Sequence, residues 1–290
     1  MTTPTIPAVD TGPHVPGRAL AFACAPFAAV TALALVVAGP GEVGARLGVA
    51  AILAAALVLP GLALTVPAVL ARRVDGPRPL LVAAGLTALS TFGLIGTPDL
   101  GFFGGLERNW QGRLIDLAMV TLLFALAGPA LRERSGLTVR TAPGSARPVA
   151  VTAVVTVLLY TLLNWANGVA TAGPTFENLL FQLTLPGTTE ELLWRGALLA
   201  LLDHVFGRPW RVFGAPMGWG GVIVTAVFAI GHGVHVGDGG IALDPVAIAA
   251  VAVIGSILCW IRARSGALWP AIVTHIAINT AIVAVAALPG

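Results

Sequence analysis

The stretch Thr188–Ala200, TTEELLWRGALLA, puts two adjacent carboxylates, Glu190 and Glu191, and a guanidinium, Arg195, into otherwise apolar sequence. Most other long apolar runs of the chain exclude charge. A charged side chain at bilayer depth costs about 2.5–3.5 kcal/mol even on the mildest scales, so such a group marks a functional site. Two further apolar runs are broken by polar groups: FAIGHGVH carries Phe228, His232 and His235, and WPAIVTHIAINT carries His275 and Asn279. Residues four apart stand about 40° from each other around a helix. Glu191 therefore lies over Arg195, His232 over Phe228, and Asn279 over His275. Glu190 is about 140° from Arg195, which leaves it as the free acid.

The chemistry of this set is hydrolysis. A carboxylate and a histidine hold and deprotonate a water, while a second histidine and an amide donate to the oxyanion of a tetrahedral intermediate. The alternative is Zn²⁺ on Glu190, His232 and His275 with water in the fourth position. No serine or cysteine lies beside the histidines as a nucleophile, and Ser256 is distant. Glu191 also has a structural rival role. With Thr188 it forms an S/T-x-x-E capping box if the helix restarts after Pro186-Gly187.

The motifs resemble a known family. Glu190-Glu191-Leu-Leu-Trp-Arg195-Gly196 is similar to the EExxxR motif of the CPBP intramembrane proteases, which include CAAX prenyl proteases and bacteriocin-processing and immunity proteins. Phe228-Ala-Ile-Gly-His232 fits that family's FxxxH and His275-Ile-Ala-Ile-Asn279 its HxxxN, over about residues 176–280. The resemblance implies that Glu190 and His232 activate water, that His275 and Asn279 stabilise the oxyanion, and that Glu191, Arg195 and Phe228 support the site. It leaves metal dependence open, because the family has been described both as zinc-dependent and as glutamate-dependent.

These residues need elements to hold them. The chain has 290 residues, 57% of them hydrophobic and only 10% charged, with a mean hydropathy of +0.92. A soluble domain carries roughly 25% charged residues. Apolar runs near 20 residues predict an all-α, polytopic transmembrane helical bundle of about eight to nine helices. The alternating ten-residue segments of a β-barrel are missing. Helices are expected near 18–38, 45–70, 80–96, 114–131, 148–165, 175–202 (broken at Pro186-Gly187), 217–235, 245–261 and 266–287. At about 1.5 Å per residue, Glu190, His232, His275 and Asn279 then fall near one level, around the midplane.

The net charge of +3 comes from arginine, with no lysine present, and reads as cytoplasmic loops rather than nucleic-acid binding. With the N-terminus inside, 12 arginines fall on the cytoplasmic side and Arg46, Arg108 and Arg113 outside. The expected location is the cell membrane, as a multi-pass protein. Residues 1–17 form a polar tail, 18–147 an N-terminal set of helices, and 148–290 the core that holds the motifs. Cys24 and Cys259 are too far apart in sequence to suggest a disulfide framework. The expected partners are a membrane-associated peptide or protein substrate and the lipid bilayer. Two rivals remain. One is an ion- or proton-coupled transporter with a midplane polar site, and the other is a catalytically silent immunity or scaffold protein.

Overall fold

The computed structural model describes residues 15–71, 78–166, 175–237 and 240–286. Most of the polar tail, together with Arg72 and Arg73, lies outside the described residues. The chain is a helical bundle. Helices α1 (Gly17–Val37), α2 (Gly39–Ala71) and α3 (Arg78–Ile95) come first. They are followed by α4 (Trp110–Leu126), the short α5 (Pro129–Arg134) and α6 (Ala146–Ala166). Among the described residues, five helices are long and apolar enough to cross a membrane: Gly17–Val37, Gly39–Pro67, Arg78–Ile95, Ala146–Ala166 and Pro245–Ser265. Their outward faces carry exposed Val36, Leu59, Val154 and Leu158, as lipid contact requires. This is an integral membrane protein.

The motif-bearing region departs from simple spans. The expected helix over 175–202 is a composite of α7 (Phe176–Thr184), α8 (Pro186–Glu191), a π-helical turn over Leu192–Leu198, and α9 (Leu199–Phe206). Pro186 stands at the first helical position of α8, where its missing N–H costs nothing. Gly187 is set by packing. A Cβ there would meet Ile276 Cγ1 at 2.7 Å and the Ile276 backbone N at 3.0 Å, so glycine lets α8 lie directly on α12 (Trp269–Val285) beside His275. A π turn is rare and gathers at functional sites; here it carries Trp194 and Arg195.

Helix α10 (Trp219–Gly233) is shorter than the 217–235 reading. It is bracketed by two antiparallel hairpins, β1 (Trp210–Val212) with β2 (Ala215–Met217) and β3 (Val234–Gly237) with β4 (Gly240–Leu243). His232 consequently stands one residue from the end of α10, and His235 sits in β3 rather than on the helix. Helix α11 (Pro245–Ser265) opens on Asp244, whose carboxylate accepts from Val246 N and Ala247 N, the expected N-cap arrangement.

The two halves of the chain share one packed interior. Helix α10 packs on both α2 and α11, α4 on α8, and α12 on α6. The connection over Ser135–Ser145 is anchored too. Ala142 N donates to Ser265 O, Leu268 N donates to Gly136 O, and buried Arg262 donates to Ser135 O at 3.2 Å and Arg134 O at 2.8 Å. Arg262 thus ties the end of α5 to α11 through two charge-assisted hydrogen bonds. Arg262→Met removes both bonds and is expected to cost roughly 2–4 kcal/mol. A lowered melting temperature of the detergent-solubilised protein measures it; an unchanged one refutes it.

Candidate active site

The site is built on four helices. Glu190 and Glu191 end α8, His232 ends α10, His275 lies in the second turn of α12, and Arg113 comes from the first turn of α4. Glu190 and Glu191 are buried, and Arg195 is fully enclosed. Arg195 Nη1 donates to Glu191 Oε1 at 2.8 Å, the pairing expected from their i,i+4 spacing. No side-chain cap forms at the start of α8, so Glu191 serves this pair and not a capping box. The same Oε1 accepts from His275 Nδ1 at 2.8 Å. The Arg195 guanidinium lies 4.1 Å from the centre of the Phe228 ring, a favourable cation–π distance. Phe228 also touches the rings of His232, at 4.4 Å between centroids, and Trp194, at 5.5 Å.

Glu190 is not the free acid that its own helix suggests. Arg113 Nη2 donates to Glu190 Oε1, and Arg113 Nη1 reaches Thr189 Oγ1. Helix α4 begins at Trp110, capped by Asn109, whose side chain accepts from Gly112 N at 2.8 Å. Arg113 is therefore a helical residue turned onto the site, not part of an outer loop. Its guanidinium balances a charge that Glu190 would otherwise carry alone into apolar surroundings.

Glu190 Oε2 makes no hydrogen bond among the described residues. It faces His232 Nε2 at 3.9 Å and His275 Nε2 at 3.8 Å. The hydrogen bonds of the other ring nitrogens assign the tautomers. His232 Nδ1 lies 2.8 Å from the Phe228 carbonyl, which only accepts, so Nδ1 carries the proton. His275 Nδ1 faces the Glu191 carboxylate and does the same. Glu190 Oε2 and the two Nε2 atoms are left facing one another, and in a neutral ring each Nε2 carries a lone pair. A water there donates to two of them and keeps a lone pair for attack.

Zinc is the alternative occupant. Ligands at about 2.0–2.2 Å from a tetrahedral zinc stand closer together than 3.8 and 3.9 Å. Arg113 also places a cation on the same carboxylate. Among the described residues, no group of three or more His, Cys, Asp or Glu is arranged to hold a metal. The residues as placed do not fit zinc, and no step below runs through one.

Asn279 is half-buried one turn beyond His275, and no hydrogen bond among the described residues draws it to the other groups. Ser256 donates to Ala252 O on the exposed face of α11. A cavity of about 360 Å³ adjoins the centre, lined by Arg113, Asp116, Glu190, Trp194, Phe228 and His232, with Ser90 and leucines of α2 and α3 completing it. Sequence reasoning assigns neither Arg113 nor Asp116 to the site. The available signal is Asn109 as an N-cap, which starts α4 early and puts Arg113-x-x-Asp116 on one helical face.

Residues 171–281 match a family model, the Rce1-like type II CAAX prenyl endopeptidase. This segment is similar to Rce1-like CAAX prenyl endopeptidases. It contains Glu190, Glu191, Arg195, Phe228, His232, His275 and Asn279, whereas Arg113 and Asp116 lie outside it. No curated protein and no solved structure matches the chain. The Rce1-like domain and the apolar helices around it support an intramembrane endopeptidase in general terms.

Proposed function

We propose that the protein hydrolyses a peptide bond of a membrane-associated substrate with a water held by Glu190, His232 and His275. The observation that carries this is Glu190 Oε2, buried and without a partner among the described residues, facing two histidine Nε2 atoms at 3.8 and 3.9 Å. Arg113 occupies Oε1 and turns Oε2 to the water. The water oxygen attacks the carbonyl carbon as Glu190 Oε2 takes its proton and His232 Nε2 accepts its second hydrogen. The C–N bond then breaks, and the proton passes from Glu190 to the leaving amine.

His275 differs from a plain oxyanion donor. Its neutral ring offers a lone pair, and Nε2 donates only once it carries a proton. Glu191 at 2.8 Å supports that imidazolium, so the proton that Glu190 takes from the water passes to His275 Nε2, 3.8 Å away, is donated in a hydrogen bond to the oxyanion, and returns through Glu190 to the leaving amine. Asn279 supplies the second donor by a side-chain rotation. The arginine distribution orients the N-terminus to the cytoplasm of the cell membrane. His232, about two-fifths exposed on its side chain, is the door by which substrate backbone reaches the water.

The test is cleavage in proteoliposomes of a panel of membrane-anchored reporter peptides, prenylated and unprenylated. Cleavage of at least one peptide supports the reading. A panel left intact, or uptake of an ion in its place, overturns it. Cleavage is expected to persist in 1,10-phenanthroline, because the donors as placed do not fit zinc; a rate abolished by the chelator and restored by zinc refutes the metal-free route.

A further inference from the structure

Asp116 has no role in this mechanism, yet it lies against it. It stands one turn after Arg113 on α4 and lines the same cavity as Glu190 and His232. It is 2% exposed, and its Oδ1 has no hydrogen-bond partner among the described residues. Ser90 of α3 lines the same cavity. Burying a carboxylate oxygen without a partner is costly, so the fold retains a destabilising group that neither packing nor helix geometry requires. Leucine would fill the position at lower cost.

The charges around the cavity show what is missing. Glu191 and Arg195 balance each other in a closed pair. Arg113 binds Glu190. His232 and His275 donate through Nδ1 to Phe228 O and Glu191. Asp116 is left, among the described residues, as an acceptor without a cation bonded to it. The cavity volume of about 360 Å³ is room for a side chain, since one water takes about 30 Å³. Leu53, Leu57, Trp194 and Phe228 form its apolar side, suited to the methylenes of a long amphipathic side chain, while Thr91 and Arg113 also face it.

We infer that Asp116 is the recognition residue of a subsite for a cationic side chain of the substrate, an ammonium or guanidinium on an aliphatic stem. The stem lies along Leu53, Leu57, Trp194 and Phe228, and the head donates to the Asp116 carboxylate. The occupant's identity as substrate rests on the peptidase reading, whereas binding itself is measurable without turnover.

The probe is butylammonium chloride, titrated onto the purified full chain in detergent at constant ionic strength, with butanol as its uncharged counterpart. Butylammonium is expected to raise the melting temperature saturably, by roughly 5 °C at a hundredfold excess over Kd. Butanol does not. The shift is lost in Asp116→Asn and kept in Glu190→Gln, which separates this carboxylate from its neighbour. An equal shift in Asp116→Asn, no shift in the wild type, or a butanol shift of the same size overturns the subsite. If Asp116→Asn does not fold, the butylammonium–butanol comparison and the Glu190→Gln variant still decide. A negative result leaves peptide cleavage untouched, and a protein that binds butylammonium but cleaves no reporter separates the two conclusions in the other direction.

Discussion

Glu190→Gln yields a folded membrane protein that no longer cleaves, with the rate down by at least about a thousandfold, at the upper end of what a positioned base contributes. The substitution is nearly isosteric, so its effect is chemical. The glutamine carbonyl replaces Oε1 and keeps the hydrogen bond from Arg113. Its NH₂ group then occupies the place of Oε2. Where the native site has three acceptors, the variant has two histidine lone pairs and a double donor between them. The amide satisfies His232 Nε2 and His275 Nε2 itself, and the water loses both its base and its anchor. Helix content by circular dichroism should be unchanged, since Glu190 Oε2 bonds to none of the described residues in the resting structure. Retention of a tenth of the wild-type rate would assign the proton to His232 or His275 instead.

Much of the site is visible along the chain because helical spacing is local. Glu191 and Arg195, Phe228 and His232, and His275 and Asn279 are each four residues apart, and an α-helix sets such pairs side by side whatever surrounds it. The structure puts the first pair in a 2.8 Å contact and stacks the second at 4.4 Å between ring centroids. Arg113 is different, because its partner lies 77 residues away and no periodicity connects them. The free-acid reading of Glu190 fails for that reason: a residue without an in-helix partner can still find one on another helix. The π turn over Leu192–Leu198 likewise has no composition signature, since its residues are ordinary helix formers. The β3–β4 hairpin, by contrast, is legible. Gly237-Asp238-Gly239-Gly240 between Val-His-Val and Ile-Ala-Leu is a hairpin signal, but apolar content alone merges Val-His-Val into the end of the preceding helix. That merging carries the helix past Gly233 and puts His235 on it, where the structure has a strand.

Removing Arg195 alone should damage both stability and chemistry, and restoring stability should not restore the chemistry. Arg195 and Glu191 are both fully buried, and breaking such a pair from one side costs about 3–5 kcal/mol because the remaining charge has no partner. Arg195→Met is therefore expected to lower the melting temperature sharply or to prevent accumulation. It also removes the cation from the face of Phe228. Glu191→Gln in the same chain removes the orphaned charge, and the double variant should recover most of the lost stability, because a neutral pair of similar volume can replace a buried ion pair at little cost. Cleavage should stay low in the double variant, by about a hundredfold or more. The glutamine introduced by Glu191→Gln can still accept from His275 Nδ1, so the ring keeps its tautomer and its orientation. What it cannot do is carry the charge that supports a protonated His275 when the oxyanion forms. Thermal melts and reporter cleavage on wild type, single variant and double variant separate these effects. A double variant that is stable and fully active would show that Glu191 and Arg195 only hold α8 to its neighbours, and that His275 works without a carboxylate behind it.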